Sequence, residues 1–259
     1  MTKNQARKAD KVYATPVYGI ADLHLPDCIG WGLNGSTPAN PWALLSANWK
    51  DTIPENALVL IPGDIYQHDS GEEARKVYET IDRLPGLRKI IIPGNHDWGT
   101  ASTTKQLHEL TEGLDSLVPL LGGAKRIELD AGALVVAGTC GAWPTMNGGG
   151  ARRPCYKKEL RRMSNALQQA KSLRQPGDGL VTLLHYPPRP DGRPTRMSKM
   201  IEEARSGLCV YGHVHDPERW RKLDARRHGP TTYRFLAADF LGFQPRKVGE
   251  IGRKGLRVD

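Results

Sequence analysis

Short apolar runs and longer stretches with helical spacing alternate along this chain. Residues 17–21, 57–61, 89–92, 134–138, 180–184 and 208–211 are rich in Val, Ile and Leu and stop at Gly, Pro or polar residues. Such runs, apolar at nearly every position, predict strands buried on both faces. Between them, apolar residues recur at helical spacing over 41–50, 72–84, 103–114, 157–173 and 196–206, which predicts helices there. The first opens on Asn40-Pro41, a capping side chain followed by a proline suited to the first turn. Strand–helix alternation of this kind builds an α/β fold. A further strand near the end of the second of two packed sheets is expected from residues 234–243, where Tyr233, Phe235 and Leu236 are followed by Phe240, Leu241 and Phe243. No repeat, low-complexity tract or linker divides the chain. One domain over 12–259, preceded by a charged segment 1–11, is the expected organisation.

Composition narrows the class without naming it. With 259 residues, 39% hydrophobic and 25% charged, the chain can bury a full core and is not a disordered polymer. No run reaches 18 apolar residues, so no transmembrane helix is expected. Segment 1–11 lacks the apolar centre of a secretory signal, which points to the cytoplasm. Cys28, Cys140, Cys155 and Cys209 are scattered without a C-x-x-C pair, as suits reduced thiols rather than a disulfide framework. The net charge of +9 includes a local +5 in residues 151–162 and another +5 in 216–259. That excess suits anionic partners such as phosphate esters or nucleic acid, with a solvated Arg-rich surface as the plain alternative.

Most of the apolar runs end in a polar cluster. In order these are Asp22-Leu23-His24, Gly63-Asp64, Gly94-Asn95-His96-Asp97, His185 and Gly212-His213-Val214-His215. In an open α/β sheet, functional residues collect beyond the carboxyl ends of the strands, so five separate segments are expected to converge. Imidazoles and carboxylates without thiolates are the ligand set of zinc, manganese or iron. In an extended segment, residues i and i+2 point the same way, which would let each D-x-H or H-x-H pair reach one site. Gly63 and Gly212 precede candidate ligands, where the chain must turn sharply and its backbone must come close. Each motif alone has a bland reading: G-D is a common turn, and a lone histidine is often a core residue. The ordered set is what carries the inference.

The series D-x-H, G-D, G-N-H-D, H and G-H-x-H, spanning roughly residues 17–216, resembles the calcineurin-like metallophosphoesterase superfamily. The resemblance implies a four-layer α/β/β/α fold with two metals at the sheet edge. Carried over, it places one metal on Asp22, His24, Asp64 and His215, and the second on Asn95, His185 and His213, with Asp64 shared. His96 is implied as the non-ligand histidine, oriented by Asp97. Many members carry a charged residue three positions after the bridging Asp. Here that position is Gln67, so no supporting role is carried over to it.

Hydrolysis of a phosphate ester needs a strong nucleophile, neutralised phosphoryl oxygens and a protonated leaving group. Two metals about 3.5–4 Å apart can bridge a water and activate it as hydroxide near neutral pH. His96 is then the expected general acid, with Asp97 setting its tautomer. Two divalent transition-metal ions are the expected cofactors, manganese first and iron or zinc as alternatives. Loops 25–40, 142–155 and 186–195 should overhang the site, and they supply Trp31, Trp143 and Tyr186 with Arg152, Arg153, Arg189 and Arg193. Those groups suit a nucleotide or nucleic acid, or simply anchor the loops. A phosphodiesterase is the expected activity. Phosphomonoesterase and phosphoprotein phosphatase are the runners-up, and a non-catalytic scaffold or nucleic-acid-binding protein is a further alternative.

Overall fold

The central strands present apolar side chains on both faces, and two such sheets stacked together have one arrangement that hides them all. The computed structural model describes residues 14–26, 40–68, 70–146, 154–223 and 226–259. The first half runs β1 (Thr15–Gly19), α1 (Pro41–Thr52), β2 (Leu58–Pro62), α2 (Gly71–Asp82), β3 (Arg88–Ile92), α3 (Trp98–Ala101), α4 (Thr104–Thr111) and β4 (Leu117–Pro119). The second half runs β5 (Gly123–Leu129), β6 (Gly132–Thr139), α5 (Tyr156–Leu173), β7 (Gly179–Leu184), α6 (Arg196–Glu203), β8 (Leu208–Tyr211) and α7 (Pro217–Leu223). It closes with β9 (Arg226–His228), β10 (Thr231–Phe235), β11 (Arg246–Gly252) and β12 (Gly255–Val258).

The first sheet has the order β12-β11-β1-β2-β3-β4 and the second β5-β6-β7-β8-β10-β9. The centre of each sheet is parallel, while β11, β12, β5 and β9 join antiparallel. Alternation along each strand assigns its faces. Leu58, Leu60, Ile90 and Ile92 of the first sheet meet Leu134, Val136, Val181, Leu183, Leu208 and Val210 of the second in one buried layer. Val59, Ile61 and Ile91 point outward to Leu45 and Trp49 of α1, Val77 and Ile81 of α2, and Leu107 of α4. On the far side, Cys209, Tyr211 and Tyr233 meet Met163 of α5, Met197 and Ile201 of α6, and Trp220 of α7. The result is the expected α/β/β/α sandwich of two mixed sheets. Among the described residues, no helix is long and apolar enough to cross a membrane.

Helix starts follow local chemistry. Asn40 Oδ1 accepts from Ala43 N at 2.9 Å, with Pro41 in the first turn, as its sequence predicts. Thr103 and Thr195 each close a capping box at the start of α4 and α6.

The tail departs from expectation. Its strand is Thr231–Phe235 rather than 234–243, although it lies near the end of the second sheet as expected, between β8 and β9. Past Phe235 the chain leaves its own sheet: Ala21 N donates to Leu236 O at 2.8 Å and Ala238 N to Ala21 O at 2.9 Å. This crossing ties the end of β1 to the second sheet, and the chain then turns through Phe243 at φ 60°.

One buried charge fixes the loop after β6. Glu159 of α5 is fully buried, and its Oε2 accepts from Thr139 Oγ1 at 2.6 Å and Gly141 N at 3.0 Å. Its Oε1 pairs with Arg162 at 2.8 Å. Between Thr139 and Gly141, the Cys140 carbonyl accepts from the backbone N–H of His185 at 2.9 Å and of Tyr186 at 3.0 Å. Glu159→Ala leaves Thr139 Oγ1 and Gly141 N without their acceptor, and is expected to cost about 2–6 kcal/mol in urea unfolding at about 1–3 kcal/mol per orphaned donor. A loss under 1 kcal/mol would show that the network is dispensable.

Candidate metal centre

Each motif side chain stands just past the carboxyl end of a parallel strand. Asp22 and His24 follow β1, Asp64 follows β2, and Asn95, His96 and Asp97 follow β3. His185 follows β7, and His213 and His215 follow β8. Asp22, His24, Asp64 and His213 have φ of 58°, 46°, 51° and 78°. Left-handed backbone costs a non-glycine residue roughly 1–3 kcal/mol, so four such positions in one cluster mark a strained functional site. This overturns the extended i, i+2 geometry expected for Asp22 and His24. The two meet at the site because the chain turns at each of them.

Glycines leave room for the carboxylates. A Cβ on Gly94 would land on the Asp64 carboxylate, and one on Gly212 on the Asp22 carboxylate. Gly63, at φ 91°, brings its backbone against Gly94 and the His185 ring.

The structure brings all seven candidate ligands together. His185 Nε2 lies 2.9 Å from Asn95 Oδ1, 3.1 Å from His213 Nδ1 and 3.3 Å from Asp64 Oδ2. His24 Nε2 lies 3.4 Å from His215 Nε2 and 3.8 Å from Asp64 Oδ2, and His215 Nε2 is 3.6 Å from Asp22 Oδ1. Two donors about 2.1 Å from one ion at tetrahedral angles stand roughly 3.4 Å apart, close to these separations. Among the described residues, three triads offer donor atoms within 4.8 Å of one another: Asp22/His24/His215, His24/Asp64/His96 and Asp64/His185/His213. Asp64 belongs to two of them.

The donor chemistry fits a cation. The outer nitrogens of three rings are occupied: His24 Nδ1 by Gln67 Oε1 at 2.5 Å, His185 Nδ1 by Pro62 O at 3.1 Å, and His215 Nδ1 by Asp239 Oδ2 at 2.8 Å. Neutral rings that donate outward present lone pairs inward, where they meet only other acceptors. Without metal, protons meet part of that demand. Burial opposes charge on His185, but Asp64 and Asp22 outweigh it and carry its pKa up to about 9. Burial likewise opposes charge on His215, and Asp22 and Asp239 carry it to about 11. Burial and the neighbouring His185 drop His213 to about 3. Burial raises the Asp64 and Asp22 carboxyls, yet the surrounding histidines hold both below the usual carboxylate range.

Two residues, Asp97 and Gln67, have contacts other than those expected. Asp97 does not orient His96: its oxygens accept from the backbone N–H of Ile65, Tyr66 and Gly94 at 2.8–3.2 Å. Burial and the Asp64 charge push its carboxyl up to about 6. His96 has a buried Nδ1 with no hydrogen-bond partner, and its Nε2 stands 4.0 Å from Asp64 Oδ2. Burial lowers its pKa. Gln67, to which no role was assigned, holds the ring of His24. Asp239 was missed altogether, although an acidic residue just past the apolar run of β10 is the same signal that marks Asp64.

Among the substrate candidates, Trp143 stands at the mouth. Its ring lies 5.1 Å from His213 and 5.5 Å from Tyr186, and the Tyr186 ring lies 3.9 Å from His213. Arg189 is engaged elsewhere, paired with Glu202 at 3.0 Å and lying over Tyr233. Trp31, Arg152 and Arg153 lie outside the described residues.

Comparison with known proteins agrees with this arrangement. The calcineurin-like phosphoesterase family matches over residues 15–217. This chain belongs to that family. Among solved structures, it is similar to TT1561 of Thermus thermophilus at 10% identity and a TM-score of 0.55, covering 90% of this chain and 98% of that one. It is also similar to the Thermus thermophilus sulfate thiohydrolase SoxB, solved in complex with glycerol, at 15% identity and a TM-score of 0.54. That match covers 93% of this chain but 55% of SoxB. At these identities the likeness concerns the fold alone. No curated protein matches the chain.

Two outcomes follow from the site. Metal entry must displace the protons on His185 and His215, so affinity weakens as pH falls below their values of about 9 and 11. Calorimetry should show the Kd for Mn²⁺ rising roughly tenfold per displaced proton for each unit of pH lost; a pH-independent Kd contradicts the proton-filled cluster. Asp97→Ala orphans three backbone donors, each worth about 1–3 kcal/mol. Metal-free protein should lose stability accordingly in urea, whereas a residue that only orients His96 would leave stability unchanged.

Proposed function

We propose that this protein is a two-metal phosphodiesterase. One divalent transition-metal ion would be held by Asp22, His24, Asp64 and His215, and a second by Asn95, His185, His213 and the shared Asp64. The single observation behind this reading is the crowding of imidazole nitrogens, carboxylate oxygens and the Asn95 amide oxygen around Asp64, a donor set that protons on His185 and His215 satisfy only in part and that suits a cation. Two such ions, with manganese expected before iron or zinc, would supply Lewis-acid activation of water and neutralise phosphoryl oxygens.

The chain's own residues do the rest. Gln67 and Asp239 hold His24 and His215 in the ring orientation that aims Nε2 inward. The Pro62 carbonyl does the same for His185. Asp64 is held rigidly by His96 N, which donates to its Oδ1 at 2.8 Å, so the shared carboxylate cannot swing out of the cluster. His96 is the proton donor to the leaving alkoxide: its side chain is 35% exposed and its Nε2 edge faces the cluster. Trp143 and Tyr186 form an apolar wall beside His213, suited to the second organic group that a diester carries and a monoester lacks.

Hydrolysis of bis-p-nitrophenyl phosphate should exceed that of p-nitrophenyl phosphate, and the reverse order would assign a phosphomonoesterase. Metal analysis after Mn²⁺ saturation should give two ions per chain, with Asp64→Asn damaging both sites and His24→Ala chiefly one. One ion or none in the wild type refutes the reading. His96→Ala should lower kcat by roughly 10²–10⁴-fold on a diester with a poor leaving group, and much less on a p-nitrophenyl ester. Metal content should be unchanged. An equal loss on both substrates, or a lost ion, would make His96 a phosphate contact or a metal ligand instead.

A further inference from the structure

A line of contacts leads out of the metal centre to a basic surface that the proposed chemistry does not use. It starts at His213, whose ring lies 5.1 Å from that of Trp143. The Arg219 guanidinium stands 5.5 Å over the Trp143 ring and reaches Asp191 Oδ1 at 3.4 Å. Asp191 belongs to the short turn Pro190–Gly192, against which α7 packs. On the other side of that turn, the Arg226 guanidinium stands 3.9 Å from where a Gly192 Cβ would be. Arg193, Arg196, Arg221, Lys222, Arg226 and Arg227 are all exposed. No carboxylate among the described residues pairs with any of them.

Resting on the phosphodiesterase reading, we propose that this ridge binds single-stranded nucleic acid and guides it over the Trp143–Arg219 stack into the metal centre. Three arguments select that ligand. Arg219 of α7 stands over Trp143 beside His213, so an anion reaching from the metal centre past α7 must present phosphates repeatedly. Arginines without a carboxylate partner supply the sequence-independent contacts that a phosphate backbone needs. Arg219, with its side chain 32% exposed and lying on Trp143, offers a guanidinium plane on which an unpaired base can stack. A base inside a duplex has both faces covered and cannot do so. A small phosphodiester would reach the metals without touching Arg226.

The test is anisotropy binding of a fluorescein-labelled 12-nucleotide single strand to metal-free protein, with a duplex of the same sequence as comparator. About four phosphate contacts to a single strand give a log–log salt slope near −2.8, or roughly 50-fold weaker binding from 50 to 200 mM salt. Arg226→Glu/Arg227→Glu on β9 should weaken binding by about tenfold or more and flatten that slope by roughly 1.4. Arg221→Glu/Lys222→Glu on α7 should act likewise, so that misfolding of one variant does not decide the matter. In the metal-loaded enzyme both variants should raise KM for the oligonucleotide while leaving turnover of bis-p-nitrophenyl phosphate unchanged. Unaltered affinity in both variants overturns the proposal and leaves the β9 arginines as charges that blunt a sheet edge. Loss of binding in Lys157→Glu/Lys158→Glu alone would move the surface to α5, and tighter binding of the duplex would also overturn it. If the wild type cleaves bis-p-nitrophenyl phosphate but neither binds nor cleaves the strand, only this inference fails. If it cleaves nothing, the phosphodiesterase reading fails with it.

Discussion

Acceptor facing acceptor is the constraint around which this molecule is organised. Histidine nitrogens, carboxylate oxygens and the Asn95 amide oxygen crowd within 2.9–3.8 Å of one another, and protons on His185 and His215 relieve only part of that crowding of lone pairs. Much else follows from holding it. Four ligand positions adopt left-handed backbone, and Gly94 and Gly212 lack the Cβ that would occupy the space of a carboxylate. Such strain persists only where surrounding structure over-determines it. Here the surroundings are two stacked sheets whose buried face is almost wholly aliphatic.

The groups that aim the ligands come from elements distant in sequence. Gln67 belongs to the loop after β2, Pro62 to β2 itself, and Asp239 to the turn after β10. Asp239 reaches the site only because residues 236–238 cross from the second sheet to pair with Ala21 at the end of β1. That crossing also closes the edge where the two sheets meet, so one backbone device serves both packing and the orientation of His215. Glu159 plays a comparable part on the other side by fixing the loop whose carbonyl holds His185 in place.

Around this centre the charge is distributed unevenly. The cluster has acidic and imidazole donors at its heart, aromatic rings on the His213 side, and arginines along α7 and β9 beyond them. The change from ligand cluster to aromatic wall to arginine over Trp143 is what the proposed single strand would meet. One of the arginines expected to overhang the site, Arg189, is instead engaged by Glu202 and Tyr233, while Arg219, unremarked in the sequence, stands over Trp143.

The central strands were legible because burial on both faces demands unbroken apolar runs. Residues 208–211 match their strand end for end, and the others agree to within a few residues. The edge strands were not legible. β9 and β12 lie at sheet edges and β11 next to one; all three carry charges, and β11 and β12 also glycines, so no unbroken apolar run marks them. The seven ligand candidates could be read from the chain because each sits at the end of such an apolar run and bears metal-binding chemistry. Their partners could not. That Asp97 clamps backbone amides, that Gln67 and Asp239 aim the rings, and that Asp22 and His24 meet through turned rather than extended backbone depend on which loops the sheets bring together. Local sequence determined which groups could bind a metal; only the tertiary structure decided what orients each of them, because a hydrogen bond's direction is set by the position of both ends.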